Sequence, residues 1–156
     1  MKCNAKNRIN NQIDETYTRD KALLIERTGK IHYIQNFHPS LKRMKKLINC
    51  ETVQFVPTIP LERVRGLDMI ELCIDEEGFY SEDPVVNKKA SLLYGTQYGA
   101  PSIVGDVLVV KYDPEKGETI PLTNMEIAKI LTFILHCDEN KIPDKIVSPK
   151  ITFVSC

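Results

Sequence analysis

Residues 103–135 read IVGDVLVVKYDPEKGETIPLTNMEIAKILTFIL, and this stretch decides the fold. Val104, Val107, Leu108, Val109 and Val110 suit a pleated surface, so its first third predicts a strand. PEKGE, residues 114–118, carries turn chemistry and predicts a hairpin. Thr123 and Glu126 then stand at the spacing of a capping box, in which hydroxyl and carboxylate satisfy each other's backbone N–H groups. Ile127, Ile130, Leu131 and Ile134 follow at i, i+3, i+4 and i+7, one face of a 3.6-residue helix. A strand, a hairpin turn and an amphipathic helix in this order do not form the βαβ alternation of a parallel sheet.

The upstream chain has the same character. KALLIER, 21–27, predicts a strand over Ala22–Arg27; TGK, 28–30, predicts a turn at Gly29; IHYIQNF, 31–37, completes a hairpin. HPSLKRMKKLINC, 38–50, predicts a helix capped by Ser40. Leu41, Met44, Leu47 and Ile48 form its apolar face, and Lys42, Arg43, Lys45 and Lys46 lie largely off it. TVQFVP, 52–57, and LDMIELCID, 67–75, predict strands, the second with Ile70, Leu72 and Ile74 on its apolar side. DEEG, 75–78, turns the chain, and Phe79–Tyr80 opens a short partner strand. DPVVNKKASLLYG, 83–95, predicts a short helix ending at Gly95. DENKIPDK, 138–145, is a loop and KITFVSC, 150–156, a closing strand. The fold class is therefore α+β: a mainly antiparallel sheet with about three helices in a single domain.

At 156 residues the chain fits one domain, with a polar leader over 1–20 and the domain itself over 21–156. A chain of this length buries roughly two thirds of its unfolded surface and needs no disulfide or metal to fold. Lys plus Arg and Asp plus Glu number 21 each, so the net charge is zero, which argues against nucleic acid as a bulk-electrostatic partner. Cys3, Cys50, Cys73, Cys137 and Cys156 are odd in number and contain no CxxC pair, as expected of reduced thiols rather than a disulfide framework or zinc site. The first twenty residues lack an export core, and no apolar run approaches the ~20 residues a bilayer requires, so a cytosolic location without membrane attachment is expected. His32, His38 and His136 are far apart, and Asp75, Glu76 and Glu77 are spare carboxylates of a turn. No P-loop, GxGxxG or Ser-His-Asp pattern occurs. No metal, no cofactor and no catalysis are expected.

The order of motifs resembles a known family. KALLIERTGKIHYIQNFHPSLKRMKKLINCETVQFVP, then LCIDEEGFY, VNKKASLLYG, IVGDVLVV and PLTNMEIAKIL follow, over about residues 21–135, the pattern of an uncharacterised domain family carried mainly by phages, plasmids and other mobile elements. The resemblance implies an accessory protein of such an element, working in the host cytosol. It brings no known activity and no catalytic residues. The first and last twenty residues and the connector TIPLERVRGLD, 58–68, depart from the pattern.

Two clusters are candidate sites. Asn87, Lys88 and Lys89 open a helix, where backbone N–H groups can hold a phosphate or carboxylate; equally, Asn87 is a cap and the lysines are solvated. Tyr94, Tyr98 and Gly99, with Gly95, form either an aromatic loop over a flat ligand or a cover for the sheet edge. At Gly105 a bulge is expected. The reading that joins the clusters is a non-enzymatic protein binding a small anionic, nucleotide-like ligand or a host protein, to counter host defence. The alternative is a protein–protein or DNA-associated module that uses Lys42, Arg43, Lys45 and Lys46 on the helix over 41–50.

Overall fold

Val107, Leu108, Val109 and Val110 are all fully buried, which requires a strand covered on both faces. The computed structural model describes residues 17–146. Among them the chain forms β1 Arg19–Ile25, β2 Ile31–Ile34, α1 Leu41–Leu47, β3 Val53–Pro57, β4 Ile70–Asp75, α2 Lys88–Tyr94, β5 Val107–Asp113, β6 Glu118–Ile120, β7 Leu122–Thr123 and α3 Asn124–Leu135. All strand pairs are antiparallel, in the order β2-β1-β5-β4-β3, with β6 added to β5 and β7 to β1. The architecture is α+β.

The two-residue alternation of β5 sorts the core into two layers. Val107 and Val109 join Leu23, Ile25, Leu72 and Ile74 against Ala90 and Leu93 of α2 and Ile127, Ile130 and Ile134 of α3. Leu108 and Val110 point the other way, with Ala22 and Cys73, against Met44 of α1 and Ile48 at its C-cap. The helices thus lie on both faces of the sheet, not on one face or its edges.

The capping box at Thr123 and Glu126 is formed. Glu126 is also the centre of an ion cluster: Arg19 Nη1 reaches Oε1 at 2.6 Å and Lys111 Nζ reaches Oε2 at 3.0 Å. Lys111 continues to Asp68 Oδ1 at 2.9 Å. Burial alone would raise the Glu126 carboxyl, but the Thr123 N–H, Lys111 and Arg19 together hold it below its ordinary value. One buried carboxylate therefore ties the start of α3 to β1 and β5.

Several elements differ from the sequence expectation. Phe79–Tyr80 belongs to a 3-10 turn, Gly78–Tyr80, and has no strand partner among the described residues. The connector holds another 3-10 turn, Ile59–Arg63, started by Pro60. β1 begins at Arg19, because Arg19 and Lys21 pair with β7. β5 begins only at Val107: Val104 makes an isolated bridge to Val86, and Gly105 takes φ +81°, a turn in place of the expected bulge. On α3, Ile127, Ile130 and Ile134 are buried while Leu131 is half-buried at the flank. On α1, Leu41 is 51% exposed and leaves the apolar face. Most of the leader and the closing strand over 150–156 lie outside the described residues. No helix of the described residues is long and apolar enough to cross a membrane.

Candidate ligand-binding groove

Asn87 caps α2, and its whole side chain is spent on the fold. Its Oδ1 accepts from the Ala90 N–H at 3.1 Å, and its Nδ2 donates to the carbonyls of Ile25 and Gly105, each at 2.9 Å. It is 0% exposed. One side chain thus fixes the helix start to the end of β1 and to the turn before β5. Lys89 Nζ donates to the Gly29 carbonyl at 2.6 Å, across the tip of the β1–β2 hairpin. Lys88 pairs with Asp144 at 2.5 Å, a hydrogen-bonded contact that raises the lysine and lowers the carboxyl. The Asn-Lys-Lys run is therefore engaged with three separate parts of the chain.

The tyrosines stand at the opposite end of α2. A helix of seven residues is about 10 Å long, so the run and the tyrosines do not share one small site. Gly95 ends the helix in the left-handed conformation, φ +104°, and a Cβ there would meet Pro60 at 3.4 Å. The glycine lets the 3-10 turn Ile59–Arg63 pack against the helix end. Thr96–Tyr98 then forms a further 3-10 turn, closed by Gly99 at φ +103°.

Between these turns and α3 runs a groove of about 560 Å³, within the range of small-molecule sites. Ile59, Pro60 and Val64 form one wall, Tyr94, Tyr98 and Ala100 the other, and Phe133 of α3 closes the side. Tyr98 is 79% and Ile59 59% exposed, so large apolar faces stand free at the rim. The charged side chain in the lining is Arg63, and no carboxylate joins it. Arg63 is exposed and makes no side-chain hydrogen bond or ion pair with a described residue. A separate hollow, about 570 Å³ between α1 and β6, has Asp20 and Glu118 beside Arg19 and lacks this bias.

Of the expected ligand residues, the structure thus brings Tyr94 and Tyr98 together in the groove, leaves Gly99 just beyond it, and sets Asn87, Lys88 and Lys89 apart. Arg63, Pro60, Val64 and Phe133 went unforeseen as lining residues; the only sequence signal was a proline followed by two arginines inside the long connector. On α1, Lys42, Arg43 and Lys46 are exposed and Lys45 is half-buried, an outer helix face away from the groove.

A family model described as Domain of unknown function (DUF3846) matches residues 20–134. No curated protein and no solved structure matches the chain.

Proposed function

The chain belongs to the DUF3846 family, and we propose that it acts by binding: the groove takes up a small, flat, anionic molecule of nucleotide type. The observation that carries this is one lining in which two tyrosines face an apolar wall and the charged group is an arginine with no ion-pair partner among the described residues. A base or similar ring stacks on Tyr98 or Tyr94, and the guanidinium meets a phosphate or carboxylate. The resemblance to domains of mobile elements supplies a use for such a binder. An accessory protein of a phage or plasmid, in the host cytosol, would withdraw a host signal nucleotide and so blunt host defence.

The test is calorimetric titration with AMP. Tyr98→Ala and Arg63→Gln should each weaken binding by roughly 10- to 100-fold, the worth of a stacked ring or a charge-assisted hydrogen bond. Both residues are exposed, so the melting temperature should stay within about 2 °C of the parent. AMP affinity untouched by Arg63→Gln would refute the site, as would a parent protein that ignores AMP at millimolar concentration.

A further inference from the structure

The groove does not end at Phe133. A second hollow of about 430 Å³ lies along α3, lined by Met125, Ala128, Lys129, Thr132 and His136, and it shares Val64 and Phe133 with the first. Two cations, Arg63 and Lys129, stand at the shared wall. Arg63 precedes Val64 in the chain. Lys129 stands four residues before Phe133 on α3, and His136, the C-cap, three after it, the spacings that put side chains on the same helix face. Lys129 Nζ donates to the Arg65 carbonyl at 2.7 Å, which uses one of its three protons. His136 Nδ1 is 2.8 Å from the Thr132 carbonyl, which holds the ring along the helix. Neither hollow is lined by a carboxylate. The outer parts are apolar: Ile59, Pro60 and Tyr98 on one side, Met125 and Ala128 on the other.

From this arrangement we infer that the two hollows form one bipartite site for a molecule with two flat rings joined by an anionic linker, the chemistry of a linear dinucleotide. The charge of the site lies in the middle and its apolar surface at both ends, so the complementary ligand carries its phosphodiester between its bases. A mononucleotide would fill only the tyrosine side. This deepens the proposed function and rests on it.

The experiment compares the dinucleotide ApA with AMP, by calorimetry, on the parent protein and on Ala128→Phe. Ala128 is exposed, and a phenyl ring there fills the second hollow while leaving the tyrosine side open. ApA should bind at least about tenfold more tightly than AMP, since a second stacked ring is worth that factor or more. Ala128→Phe should erase this advantage and leave AMP binding unchanged. AMP binding with ApA no tighter overturns the bipartite site and spares the first groove. So does an ApA advantage that survives Ala128→Phe. Failure of both probes on the parent protein overturns the bipartite site and the first groove together.

Discussion

Replacing Asn87 by alanine tests whether the residue serves the fold or a ligand. The substitution removes an N-cap, which costs about 1 kcal/mol. It also takes a donor from the carbonyls of Ile25 and Gly105, each left short of a partner at about 1–3 kcal/mol. The Ile25 carbonyl belongs to a paired strand, so the lower part of that range applies, and the sum is about 3–5 kcal/mol. For a domain of this size 1 kcal/mol moves the melting temperature by ~2–4 °C, so a fall of roughly 6–20 °C is expected. Thermal unfolding followed by circular dichroism, with urea titration beside it, measures the loss. Asn87→Ser keeps an acceptor for Ala90 and should recover only the cap. Asn87→Asp keeps that acceptor too, yet turns a second oxygen toward two carbonyls, and should be no more stable than the alanine variant at pH 7. An Asn87→Ala protein that melts within about 3 °C of the parent would refute the assignment of this side chain to the fold.

Two further outcomes follow from the packing and the ion cluster. Ile130→Ala should cost about 2–5 kcal/mol, as for a fully buried aliphatic side chain, and Leu131→Ala less than half as much, because Leu131 is half-buried; equal losses in urea denaturation would show that the α3 face is misplaced. Glu126 is held below its ordinary value of 4.5, so its contribution is fully present above that pH and is lost as the pH falls through the folded-state value. Glu126→Gln should therefore lower stability at pH 7 and flatten its decline as the pH falls below 4.5; identical acid slopes for parent and variant would refute the role of the cluster.

The strands and helices were legible where periodicity is local. The apolar residues 107–110 announced a strand, though not that both its faces would be covered, and the Thr123–Glu126 spacing announced a helix start that the structure forms in full. The strand order was not legible, because β5 pairs with β1 from more than eighty residues upstream and no local pattern encodes that partner. The groove was half legible for a similar reason. Tyr94 and Tyr98 could be singled out from their own segment, but the surfaces they face come from the connector and from α3. Lys88 and Lys89 are near Tyr94 in sequence, yet one short helix sets them at its other end. Asn87 was legible as a cap, whereas its two bonds to carbonyls of other segments depend on the tertiary fold.

The place of β5 in the sheet governs how the protein is made. β1 and β2 form one hairpin and β3 and β4 another, both from neighbouring stretches of chain. Leu108 and Val109 are the rungs common to both halves, Val109 opposite Leu23 and Leu72 and Leu108 opposite Leu24 and Cys73. During synthesis the two hairpins must wait, each with a bare inner edge, until the segment over 107–113 has left the ribosome and can slide between them. Such long-range closure is slow, because the loop entropy is lost before the contacts form. Over that interval the unpaired edges of β1 and β4 are templates for pairing with other chains. A nascent chain halted before β5 is thus two sticky hairpins awaiting a seam, and release from a ribosome stalled there yields aggregation, not a smaller folded domain.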